Sequence, residues 1–172
     1  VIIHVLEQIR VSAGMEVKSD SGEAEKVPLT ANAYEDSIRY QNDSAVFTAN
    51  GFVADQDRQD GITDIFKNGW TANQKGATIT FEVEGSCISV QYRKTIKLPA
   101  PVAEVVIDDD SAHAVRLDAN FDETWGDKLQ LDTIAEHIEK GKHKVQITIT
   151  ETHETDQLPF YLVSVIASGK EK

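Results

Sequence analysis

The chain predicts an all-β fold, a jelly-roll-like antiparallel β-sandwich with a short N-terminal helix. Ile79, Phe81 and Val83 alternate with Thr78, Thr80, Glu82 and Glu84, the period of a strand buried on one face. The alternation recurs in about eight strands with turn signals at ~8–12 residue spacing, the pattern of a sandwich or jelly roll. Strands alternating with helices, the mark of a parallel α/β core, are absent.

With 172 residues the chain suits one domain of ordinary size plus an extra element. Its formal net charge of −12 repels phosphate backbones and anionic headgroups, so neither nucleic acid nor a membrane surface is expected as a partner. No apolar run approaches the ~20 residues of a bilayer span. The single cysteine, Cys87, excludes an intrachain disulfide and any multi-cysteine metal site.

Val1, Ile2, Val5, Leu6 and Ile9 form one apolar stripe at helical spacing. Ten residues are too few for a stable lone helix, so the helix of residues 1–14 is expected to pack either on the rest of this chain or on a preceding domain, the chain being a fragment that opens inside a helix. Residues 15–31 have no period and many small polar residues, and are expected to be a linker. Residues 32–169 are expected to form the sandwich.

Within it, Tyr34, Ile38 and Tyr40 punctuate a polar lead-in, and Ala45, Phe47 and Ala49 alternate ahead of the turn dipeptide Asn50-Gly51. Phe66-Lys67-Asn68-Gly69-Trp70 leads to the strand at Thr78. Gly85-Ser86 breaks that strand, and Ile88, Val90 and Tyr92 resume the alternation, which predicts an antiparallel hairpin. Leu98-Pro99-Ala100-Pro101 is a rigid connector. Val102 to Ile107 is a strand, Asp108-Asp109-Asp110-Ser111 its turn, and His113, Val115 and Leu117 the returning strand. Leu129, Leu131 and Thr133 mark another. Ile134 to Lys140 is a turn or helical loop ended by Gly141. Val145, Ile147 and Ile149 share one face of the next strand, and Phe160 to Ala167 is apolar on both faces, hence central.

Asp110-Ser111-Ala112-His113 has the spacing in which an Asp orients an imidazole. No serine on a tight strand-to-helix turn accompanies it, so the simpler reading is a hairpin turn with His113 opening a strand. Asp108, Asp110 and Asp118 supply carboxylates for a structural calcium, although no spaced calcium loop is present and a solvated acidic turn accounts for them equally. His137, His143 and His153 lack helical metal-ligand spacing. Trp70, Trp125 and Tyr92 are candidates for a platform on which sugar rings stack; the competing account makes them core plugs.

In their order, Ala33-Tyr34-Glu35, Phe66 to Trp70, Gly76 to Gly85, Ile88 to Lys94, Trp125 ahead of Leu129-Gln130-Leu131, Lys142 to Ile147 and Pro159 to Ile166 resemble a known pattern. It is that of the β-sandwich domain that accompanies SGNH/GDSL-type hydrolases of Gram-positive and gut bacteria. The resemblance implies a non-catalytic accessory domain, with the catalytic residues in a preceding hydrolase domain of the same parent chain that residues 1–14 would close. Its implied role is to pack on that domain or to present a carbohydrate or acylated glycan. A purely structural or protein–protein module is the alternative. No cofactor is expected.

Overall fold

The computed structural model describes Gln8, Ile9, Asn32 and residues 34–169. The chain divides into two compact units, Val1–Ala31 and Asn32–Lys172. Of the first, only Gln8 and Ile9 are described, and both are helical. The rest of the helix expected over 1–14 and the linker expected over 15–31 lie outside the described residues.

The second unit is an antiparallel β-sandwich. Its strands are β1 (Ile38–Tyr40), β2 (Phe47–Asn50), β3 (Val53–Ala54), β4 (Trp70–Ala72), β5 (Thr78–Gly85), β6 (Cys87–Lys94), β7 (Val102–Ile107), β8 (Val115–Asp118), β9 (Lys128–Ala135), β10 (Gly141–Glu151) and β11 (Phe160–Ser168). One sheet runs β3-β4-β11-β6-β9, with β1 also pairing β11; the other runs β2-β5-β10-β7-β8.

The core follows from the alternation. Val145 lies opposite Phe81 and Ile147 opposite Ile79, so the apolar residues of β5 and β10 share the inner face. They are fully buried against Ile88, Val90 and Leu162 of the other sheet. β11 is central, as its two apolar faces predict. Its outer face is covered by the segment ahead of β4: Phe66 meets the Tyr161 ring edge-on at 6.2 Å, and Tyr161 donates to Asp55 Oδ2 at 2.5 Å.

The expected hairpin at Gly85-Ser86 does not form. β5 pairs β2 and β10, whereas β6 pairs β11 and β9. The chain crosses from one sheet to the other at this corner. A Cβ on Gly85 would lie 2.5 Å from the Ser168 carbonyl oxygen, so only glycine lets the corner pass this close to β11. The amide of Ser86 then donates to that same oxygen at 2.8 Å. Period-two alternation specifies which residues face inward but not which sheet receives them.

The β7–β8 hairpin does form, with Val105 opposite Val115. Its turn contains a 3-10 helix, Ser111–His113, capped by the Asp110 side chain accepting from the Ala112 amide. His113 therefore belongs to the turn, and the returning strand starts at Val115.

Candidate functional site

The three aromatic candidates separate by burial. Trp70 has no exposed surface; its ring sits edge-on to Phe47 and Phe81, at 5.2 and 5.1 Å. Tyr92 is also buried, stacked on Phe160 at 5.7 Å, and its hydroxyl donates to Asp132 Oδ2 at 2.8 Å. Burial first, and then that carboxylate, push the Tyr92 phenol well above its ordinary pKa. Neither ring is available to a sugar. Both belong to the core because β4 and β6 lie inside the sheet and turn these side chains inward.

Trp125 is the exception, 68% exposed in the β8–β9 loop. Its ring meets Phe121 edge-on at 5.5 Å, and Lys128 Nζ lies 5.6 Å from the Phe121 ring centre. The loop is anchored at both ends. The Phe121 amide donates to the Thr95 carbonyl at 3.0 Å, and Thr95 Oγ1 donates to Asp127 Oδ1 at 2.6 Å. Trp125 is thus an exposed ring on a fixed support, the form a stacking platform takes.

The three aspartates do not assemble into a calcium site. Asp108 Oδ2 accepts from His143 and its Oδ1 from the Lys144 amide. Asp110 is engaged by His113 and the Ala112 amide. Asp118 Oδ1 accepts from both nitrogens of Asn120. Asp118 lies opposite Val102, at the far end of β7 from Asp108, roughly 20 Å away at strand rise. Among the described residues no group of three or more His, Cys, Asp or Glu side chains is placed to hold a metal.

At the end of the sandwich opposite Trp125 a cleft of about 430 Å³ opens between the sheets. It exists because β8 ends its pairing with β7 at Val105, leaving Val106 and Ile107 uncovered on that side. Ile107, Ile134, Ala135 and Ile138 line it, with Asp108, Asp110, His113, Glu139 and His143 around them. His143 lies opposite Val83 on the inner face of β10, one alternation before Val145. That position on an otherwise apolar face was the sequence signal for it, and irregular spacing among the histidines obscured it.

His143 Nδ1 lies 2.6 Å from Asp108 Oδ2 and its Nε2 lies 2.8 Å from the Glu139 carbonyl. Burial lowers its pKa, but the Asp108 carboxylate and the Glu139 and Gly85 carbonyls outweigh this, and the net direction is up. His113 Nδ1 lies 2.7 Å from Asp110 Oδ2. Among the described residues nothing partners His113 Nε2, and no serine, threonine or cysteine bonds to the ring. The Asp110–His113 pair by itself is not the nucleophile–base–orienter set that acyl transfer uses.

Two antiparallel sheets of this kind define the class, a β-sandwich with the fold of carbohydrate-binding modules. The CBM36-1 domain of a multidomain xylanase from the hindgut metagenome of Trinervitermes trinervoides superimposes with a TM-score of 0.52 at 8% identity, over 79% of this chain and 99% of that one. A family two carbohydrate esterase from Cellvibrio japonicus superimposes with a TM-score of 0.54 at 14% identity, over 77% of this chain and 33% of that one. At these identities the likeness is one of fold.

A far nearer relative is a two-domain esterase active on acetylated mannans, crystallised with mannopentaose. It is 56% identical over 99% of this chain, with a TM-score of 0.82, and the match takes up 44% of that chain. The chain is thus similar in sequence and fold to part of that two-domain esterase, and it spans less than half the length of that relative. No family model and no curated protein sequence matches it.

Proposed function

We propose that the chain is the non-catalytic, glycan-binding part of an SGNH/GDSL-type esterase, and that it presents an acylated polysaccharide, of the acetylated-mannan class, to a hydrolase domain in the same parent chain. On this reading the unit Val1–Ala31 is the end of that domain and its connection to the sandwich. The carrying observation is the 56% identity maintained over 99% of the chain with the two-domain mannan esterase. Trp125 supplies the surface: an exposed indole stacks on the apolar face of a pyranose.

Titrating the chain with O-acetylated mannooligosaccharide while following tryptophan fluorescence tests this. Trp70 is shielded from solvent, so a saturable change reports Trp125, and Trp125→Ala is expected to remove it. A signal that does not move leaves the second reading, a structural companion of the esterase without a ligand. The burial of Trp70 and Tyr92 favours that reading.

A further inference from the structure

The cleft at the other end of the sandwich has no part in the Trp125 reading, yet it has the make-up of a small-molecule site. Such sites hold roughly 300–1,000 Å³, lined mostly by apolar groups with a few placed polar ones; this one holds about 430 Å³. Ile107, Ile134, Ala135 and Ile138 provide an aliphatic wall.

Two clasps fix the rim. His143 joins the β7–β8 turn at Asp108 to the β9–β10 loop at Glu139, and Asp110 holds both the 3-10 turn and the His113 ring. Among the described residues, His113 Nε2 and the Glu139 carboxylate have no partner, so both are available to a ligand's polar groups.

We propose that this cleft is a second ligand site that takes one O-acetylated pyranose unit. The acetyl methyl packs on Ile134 and Ile138, and ring hydroxyls bond to the carboxylates of Asp110 and Glu139 and to His113 Nε2. The choice among ligands follows from the lining. No Phe, Tyr or Trp ring lines it, so a bare sugar face lacks the broad platform it stacks on. An aliphatic wall rewards a methyl, by about fourfold in affinity for one buried carbon. Asp110 and Glu139 at the rim disfavour an anionic sugar. The proposal rests on the glycan reading above but on different residues, roughly one strand length of ~23 Å away along β9.

The test titrates the 172-residue chain with O-acetylated mannooligosaccharide, and with the same oligosaccharide after alkaline deacetylation. NMR follows the methyls of Ile107, Ile134 and Ile138 and the His113 ring protons, with Trp125 fluorescence in parallel. The acetylated ligand is expected to shift the cleft signals, and the deacetylated one to bind there at least about fourfold more weakly. His113→Ala, a change at an exposed ring, is expected to weaken cleft binding by about tenfold and leave the Trp125 response intact.

A Trp125 response with motionless cleft signals overturns this proposal and spares the glycan reading. Equal cleft shifts from both ligands overturn it as well. Cleft shifts that persist in Trp125→Ala support it. Silence from both ends overturns both readings.

Discussion

His143 is held between two acceptors, Asp108 Oδ2 at 2.6 Å from Nδ1 and the Glu139 carbonyl oxygen at 2.8 Å from Nε2. Neither acceptor carries a proton at neutral pH, since the bonds from His143 and the Lys144 amide outweigh burial and hold the Asp108 carboxyl below its usual range. Two acceptors facing the ring favour its doubly protonated form, in which both nitrogens donate.

Stability should follow from that pair with a defined sign. The folded His143 pKa is raised above 6.5, so its contribution is complete below that value and is lost as pH rises through the folded pKa. The Asp108 contribution is present above 3.8 and is lost as pH falls through its depressed value. The clasp is thus complete in mildly acidic solution. Raising the pH from about 5.5 to about 9 is expected to lower Tm through this pair. Asp108→Asn, which tolerates the left-handed backbone at φ 52°, should flatten the dependence and cost about 1 kcal/mol, a modest figure because Asp108 is half exposed. Thermal melts of both proteins across that range check this.

The two tryptophans should behave as opposites. Trp70→Ala removes a fully buried ring and is expected to cost about 3–5 kcal/mol in a denaturant titration. Trp125→Ala should stay within about 0.5 kcal/mol of the parent while abolishing the fluorescence response to glycan. Iodide should quench Trp125 and leave Trp70 emitting.

These two residues also show where the sequence was readable. The inner face of β10 was plain because Val145, Ile147 and Ile149 alternate without interruption, and the central place of β11 was plain because both its faces are apolar. Exposure of single aromatics was not plain. Trp70 follows a loop-like Asn68-Gly69, but the register of β4 against β11 carries it inward, with Trp70 opposite Leu162.

Strand β9 illustrates the same gap. Its Leu129 and Leu131 alternate as a buried set would, yet they lie opposite Arg93 and Gln91 on the outer face, and Leu131 is exposed. Gln130 and Asp132 face inward, where Asp132 meets the Tyr92 hydroxyl. A buried hydroxyl's demand for an acceptor is a tertiary fact that no local pattern contains.

That hydroxyl yields a further test. Tyr92→Phe keeps the stack on Phe160 and removes the bond to Asp132, which retains Gln130 as a donor. A loss of about 1–2 kcal/mol in chemical denaturation is expected. In an alkaline absorbance titration Tyr92 and Tyr161, both raised first by burial and then by a carboxylate partner, should ionise only as the protein unfolds.

The sheet-switching corner should not accept a side chain. Gly85→Ala places a methyl 2.5 Å from the Ser168 carbonyl oxygen, a backbone atom that cannot turn aside. A loss of about 2 kcal/mol is expected, read from the midpoint of urea unfolding against the parent.

Titration of the chain with O-acetylated mannooligosaccharide, with acetate release measured in the same samples, tests the central claim most directly. Saturable binding that requires Trp125, with no acetate released, is the predicted result. Absence of binding would contradict the glycan-presenting role, and acetate release that His113→Ala abolishes would contradict the non-catalytic one.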